Sequence, residues 1–216
     1  MATKYGFSDV REQLVDSIKG AYPTEWEGPG TGKVVGEDVF GSPIPHPNAV
    51  LNVFMEQGVR FALPFAAYRA ALGGFSSLIS DKPGTVLPRL ALASTVYGMK
   101  MIRVALAEFA HSVVCQMSLK ECRDNTCAAN VVSSPPRLRM EALNKIYDAM
   151  VSEGREGDVL FSRLLENVVC VDCARTPEQA YHRWCEMIWK QLPRIFGVGN
   201  SWEEVQLDIG RMESWS

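Results

Sequence analysis

Four of the six cysteines form two close pairs, Cys122 with Cys127 and Cys170 with Cys173. Thiolates separated by two to four residues can bind one tetrahedral Zn²⁺ together, so two such pairs can complete a four-sulfur site. The residues between Cys122 and Cys127 are polar, which makes burial of these two thiols for packing alone a poor explanation. We therefore predict a structural zinc ion bound by Cys122, Cys127, Cys170 and Cys173.

Other roles for these thiols stay open at this point. Cys170 and Cys173 could be small core residues, because cysteine outside disulfides is often buried. A reactive dithiol is less favoured, since no strand precedes this pair and no cationic neighbour is present to lower a thiol pKa. His182 and Cys185, three residues apart, and Cys115 are substitute ligands, although the spacing of the first two also suits a helix flank.

Composition argues against several classes of function. The 216 residues are 47% hydrophobic and 22% charged, as in ordinary water-soluble proteins. A net charge of −3 argues against a nucleic-acid surface, and therefore against a zinc-based DNA reader.

Cysteines without a recognisable secretory signal in residues 1–20 indicate a reducing compartment, the cytoplasm or the nucleus. Lys100, Arg103 and Glu108 interrupt the most apolar helical stretch, so we expect no membrane span.

One glycine-rich segment, residues 28–33, looks superficially like a phosphate-binding loop. Glu27 occupies the position of the first required glycine, and Val34 replaces the hydroxyl residue that would bind Mg²⁺. Neither a preceding strand nor a following helix is evident. We therefore predict a loop with no nucleotide.

Helical periodicity dominates the elements that position these residues, and strand signals are almost absent. Apolar residues three and four apart predict helices over 8–19, 48–57, 64–72, 89–117, 136–151, 159–168 and 176–195. A last short helix is predicted to be capped by Ser201, with Glu203 and Glu204 placed to interact with its dipole. Residues 24–47 are predicted to form an irregular loop rich in Gly and Pro, and residues 119–135 a loop bearing the first cysteine pair. The predicted fold is all-α: one domain over 1–216, an irregular multi-helix bundle clamped by the four-cysteine zinc site.

Several short segments together resemble a known family. They are residues 4–7 with 10–11, residues 59–64 with 67–69, the two cysteine pairs, and the closing Trp189, Leu192-Pro193, Phe196-Gly197 and Ser201-Trp202. In this order they resemble the helical region that follows the BTB/POZ domain in a large group of fungal proteins. The resemblance spans most of the chain.

The resemblance implies an adaptor role without catalysis. BTB domains are dimerising adaptors that recruit partners to cullin-type ubiquitin ligases or transcriptional complexes. This chain begins where the BTB domain would end, so dimerisation and cullin binding are not carried over. We expect an intracellular, non-enzymatic interaction domain with protein partners, and no nucleic-acid or membrane partner. The alternative is a small thiol- or zinc-dependent enzyme using Cys170 or Cys173 with His182, for which no orienting group or oxyanion donor is identifiable.

Overall fold

A computed structural model of the protein describes residues 8–27, 46–79, 81–117 and 171–213. Within these ranges 75% of the residues are helical and none lies in a strand, which confirms the prediction of an all-α, multi-helix fold. The chain divides into two compact units. The first unit is Met1–Met101 with Ile188–Ser216, and the second unit is Ile102–Met187. The single domain over 1–216 stays a prediction.

The described elements are seven α-helices and one short 3₁₀ helix. In chain order they are α1 (Ser8–Ala21), α2 (Pro47–Glu56), the 3₁₀ helix (Arg60–Ala62), α3 (Leu63–Leu72), α4 (Gly74–Leu78), α5 (Arg89–Met117), α6 (Val171–Ile195) and α7 (Trp202–Glu213). The predicted helix bounds agree closely for α1, α2, α3 and α5. The 3₁₀ helix and α4 were not predicted, because elements of three and five residues are too short to show helical periodicity.

The start predicted for α6 at Thr176 is wrong, since the helix begins at Val171. Pro177 therefore lies inside the helix rather than at its first turn. A helix can continue through a proline at the loss of one hydrogen bond, here the one to the carbonyl of Cys173. Three other predicted segments, the loop 119–135 and the helices 136–151 and 159–168, lie outside the described residues, as does most of the loop 24–47.

The core of the first unit begins with the packing of α2 against α3. The buried face of α3 is built from small side chains around one ring, namely Ala66, Ala67, Ala70, Ala71 and Phe65. Alanines on a contact face let two helix backbones approach closely, which sets the spacing between the helices. Leu51 and Phe54 on α2 are buried in the same unit.

Gly98 marks a close approach between α5 and the chain that follows α6. The Gly98 Cα lies so near the Phe196 ring that an added Cβ would overlap the ring carbons. One turn earlier, the Ser94 hydroxyl donates a hydrogen bond to the Phe196 carbonyl oxygen (2.5 Å). The first half of α5 is therefore held in the first unit by both a ring contact and a hydrogen bond.

The turn between α6 and α7 is fixed by backbone geometry. Gly197 has a φ of +68°, the left-handed conformation that commonly ends an α-helix and that glycine adopts without strain. The Val198 carbonyl accepts a hydrogen bond from Arg60 Nη2 (3.0 Å), which ties this turn to the 3₁₀ helix. The predicted Ser201 cap is confirmed, because its Oγ accepts from the Glu204 backbone N–H (3.3 Å).

In the second unit, Trp184 of α6 packs against the later part of α5. Its indole N–H donates to the Ala105 carbonyl oxygen (3.2 Å), and its ring lies 5.5 Å from the Phe109 ring, centroid to centroid. Ile102, Leu106 and Phe109 are buried.

One stretch of the described helices, Arg89–Phe109, is long and apolar enough to cross a membrane by length and composition, with a mean hydropathy of 1.3. Core helices of water-soluble proteins pass the same test. The stretch contains the charged residues Lys100, Arg103 and Glu108, and 28% of its most apolar part is buried. The finding concerns length and composition alone.

We expect Gly98→Ala to lower the free energy of unfolding by about 1–3 kcal/mol, because the new methyl must displace the Phe196 ring from a packed site. Urea unfolding followed by circular dichroism measures the change. Gly20→Ala in α1 is the control, since no heavy atom lies within 4 Å of the added Cβ and alanine favours helix over glycine by up to about 1 kcal/mol. Equal stability of the two variants would contradict the close approach at Gly98.

Candidate functional site

The predicted zinc ligands fall mainly outside the described residues. Cys122, Cys127 and Cys170 lie there, and only Cys173 belongs to a described element, as the third residue of α6. Among the described residues, no group of three or more His, Cys, Asp or Glu is arranged to hold a metal ion. The zinc site therefore stays a prediction.

The helix α6 separates two residues that the enzyme alternative places together. Cys173 and His182 are nine positions apart in one helix, which corresponds to about 14 Å along the axis at about 1.5 Å per residue. His182 and Cys185 are one turn apart, and Cys185 is half-buried and outside any disulfide.

Seven aromatic rings of the first unit form a cluster that we call the aromatic core. Its members are Tyr22, Trp26, Phe54, Phe65, Tyr68, Trp189 and Trp202. The Trp189 ring lies at its centre, with centroids 5.3 Å from both Phe65 and Trp202 and 5.9 Å from Trp26. These separations are typical of favourable aromatic pairs. The cluster is a packing core that brings together α3, α6, α7 and the segment after α1.

Polar groups of the aromatic core are largely neutral and buried. The Trp202 indole N–H donates to the Trp189 carbonyl oxygen (2.7 Å), whereas the Trp189 Nε1 is buried without a hydrogen-bond partner. Burial raises the pKa of Tyr22, and the nearby Arg69 guanidinium partly opposes that rise. A phenol whose pKa is raised stays protonated at neutral pH, so Tyr22 does not act as a base there.

The two carboxylates that open α7 have capping roles. The side-chain hydrogen bond with Ser201 lowers the pKa of Glu203. For Glu204 the backbone N–H and the side chain of Asn200 both donate to Oε2, at 2.8 and 2.9 Å, and these bonds lower its pKa. Both carboxylates therefore stay ionised through neutral pH and stabilise the positive end of the helix dipole, as the sequence predicts.

An open cleft of about 270 Å³ lies beside the aromatic core in the first unit. Its lining is mostly polar: Lys19, Pro23, Thr24, Glu25, Glu27 and Gln206. It combines one cation with two carboxylates, and neither cysteine nor histidine is among these lining residues.

Two asparagines of α2 clamp the segment that follows α4. Asn48 is buried, and its Nδ2 donates to the carbonyl oxygens of Ser77 (2.9 Å) and Thr85 (3.1 Å). Asn52, one turn later, donates to the Val86 carbonyl oxygen (2.9 Å). The Asn48 Oδ1 has no hydrogen-bond partner, so this amide acts as a donor only. Sequence reasoning missed the clamp, because an asparagine next to a helix start is first explained as a cap.

Large apolar side chains lie exposed on the surface of the first unit. Tyr97 and Met101 stand about one turn apart on α5 and are exposed, whereas Gly98 between them is buried. A second exposed group lies between Phe75 and Leu90. The sequence did not predict that these apolar side chains are exposed, because periodicity places residues on a helix face without showing what covers that face.

Comparison with protein-family models, with curated protein sequences and with solved structures gave no match.

We expect Asn48→Ala to lower the free energy of unfolding by about 1–3 kcal/mol, because it leaves the carbonyl groups of Ser77 and Thr85 without their donor. Asn52→Ala is the matched control. Its hydrogen bonds are exposed, so water can replace them and the loss should be below about 1 kcal/mol. Urea titrations of both variants test the difference, and a larger loss for Asn52→Ala would contradict the assignment of Asn48 as the main clamp.

Proposed function

We propose that this chain is a non-enzymatic, helical interaction domain of the adaptor type, acting on protein partners in the cytoplasm or nucleus. The observation that carries the proposal is the exposed pair Tyr97 and Met101 on α5. Tyrosine and methionine are enriched where proteins bind one another, and both side chains stand on a helix that is held by contacts of Gly98 and Ser94 with Phe196. A rigid helix face loses little conformational freedom when a partner binds it.

The resemblance to the helical region downstream of fungal BTB domains supports the same class of function. Regions of that kind have no known catalysis. Along α6, Cys173 and His182 are nine positions apart in sequence, which also supports the proposal.

The proposal includes one structural Zn²⁺ bound by Cys122, Cys127, Cys170 and Cys173. The support for it is the spacing of the two pairs. Binding free energies of structural zinc reach the order of 10 kcal/mol, which matches the whole stability of an ordinary domain. Such an ion would hold two segments that are distant in sequence.

We expect purified protein to contain about one zinc ion per chain, and Cys170→Ser to lose it with a large fall in thermal stability, because three thiolates do not complete a closed structural site. Elemental analysis and thermal unfolding measure both quantities. Cys185→Ser is the matched control, since this thiol lies on α6 outside the four-cysteine set and should leave the metal content unchanged. Wild-type protein that contains no zinc and is no more stable than the Cys170→Ser variant would contradict the zinc site.

We expect Tyr97→Ser combined with Met101→Ser to reduce retention of partner proteins from native cell extract at least about tenfold, because truncating an aromatic anchor commonly costs about 2 kcal/mol or more. Affinity capture with quantitative mass spectrometry compares the variant with the wild type. Leu207→Ser is the control, since it removes an exposed apolar side chain from α7. An identical set of captured proteins in all three samples would contradict the proposed binding face.

A further inference from the structure

A short segment of the first unit carries four large apolar side chains that are more than half exposed. They are Phe75 at 55%, Ile79 at 57%, Val86 at 60% and Leu90 at 85%. We call these four residues the apolar tip. Single exposed apolar residues are common on protein surfaces, whereas a concentrated group marks a site of contact with a protein or a membrane.

The backbone of the apolar tip is held in place by α2. The amide of Asn48 bonds the carbonyl groups of Ser77 and Thr85 at once, so the two stretches that carry Ile79 and Val86 lie beside each other. The exposed position of these residues is therefore built into the folded unit and does not depend on a loose loop.

Buried and exposed side chains are neighbours in sequence here, and this explains why the residues of the apolar tip face solvent. Leu78 and Leu87 are buried, and each is adjacent in sequence to an exposed member of the tip, Ile79 and Val86. Phe75 and Ile79 are one turn apart, joined by a backbone hydrogen bond from the Ile79 N–H to the Phe75 carbonyl oxygen (3.2 Å). The buried leucines thus anchor the segment while its outer side chains face solvent.

The segment that carries the apolar tip, residues 75–90, has a charge opposite in sign to that of the whole chain. It contains one acidic residue, Asp81, and two basic ones, Lys82 and Arg89, which gives +1. The chain as a whole carries −3, so its other parts hold the excess of acidic residues. Lys82 and Arg89 lie within the tip segment itself and are exposed.

We propose that the apolar tip inserts into the surface of an anionic phospholipid bilayer, with Lys82 and Arg89 at the level of the headgroups. Apolar side chains that protrude into the interface gain the free energy of leaving water, and each nearby Lys or Arg adds attraction to anionic lipid. Side chains that are more than half exposed have most of their apolar area in contact with water. Such side chains suit insertion into lipid better than side chains that line a groove for a protein segment. This inference goes beyond the proposed adaptor role and uses different residues.

Peripheral binding of this kind needs no membrane-spanning helix. The expectation of no membrane partner rested on the charges that interrupt the longest apolar stretch. Those charges oppose a span through the bilayer core, whereas contact with an anionic surface depends on Lys82 and Arg89 in the tip segment. The apolar tip thus adds an anionic membrane surface as a partner, and no residue has to cross the membrane.

Sedimentation with vesicles tests the proposal on the full chain. We expect wild-type protein to sediment with vesicles of phosphatidylcholine mixed with phosphatidylserine, and much less with vesicles of phosphatidylcholine alone. Ile79→Ser combined with Leu90→Ser should weaken binding at least about tenfold, because two inserted side chains are lost. Arg89→Glu should weaken binding several-fold on the mixed vesicles only.

Leu207→Ser is the matched control, because it removes a side chain that is 73% exposed beside the acidic start of α7, and it should bind like the wild type. Circular dichroism confirms that each variant is folded. The proposal is overturned if the wild type does not sediment with mixed vesicles, or if the Ile79→Ser/Leu90→Ser variant binds as well as the wild type. Concentration-dependent dimerisation that the same variant abolishes, without lipid binding, would assign the tip to a second copy of the chain instead.

Discussion

The burial of Trp189 is the contact on which the first unit depends. Its ring meets Phe65 from α3, Trp202 from α7 and Trp26 from the segment after α1. These residues come from both ends of the sequence, so the core forms only when distant segments close on one another, with the loss of chain entropy that such closure entails. Large aromatic surfaces offset that loss, because each ring buries far more area than an aliphatic side chain.

Small residues decide how closely the helices around this core approach. The alanines of α3 allow α2 to lie near, and Gly98 allows the Phe196 ring to lie against the α5 backbone. The Phe196 ring covers α5 at Gly98, whereas Tyr97 beside it and Met101 one turn later stay exposed. The exposed apolar pair therefore borders the packed part of the helix.

The two proposed surfaces share a physical origin. In both, buried neighbours fix the backbone: Gly98 and Ser94 for the α5 face, and Leu78, Leu87 and the asparagine clamp for the apolar tip. Fixed backbones present apolar side chains at little entropic cost when a partner or a lipid surface covers them. Lys82 and Arg89 then bias the tip toward an anionic partner.

The sequence alone determined the helical class and most helix bounds, because the apolar spacing of α1, α2, α3 and α5 and the Ser201 cap are local signals. It missed the continuation of α6 through Pro177, since a proline is first taken as a helix start. It identified the cysteine pairs by their spacing, and three of those four residues lie outside the described part of the chain. Only the tertiary structure decided that Trp189 and Trp202 stack, that Asn48 clamps Ser77 and Thr85, and that Ile79 and Val86 face solvent. Each of these depends on contacts between residues far apart in sequence, which no local pattern encodes.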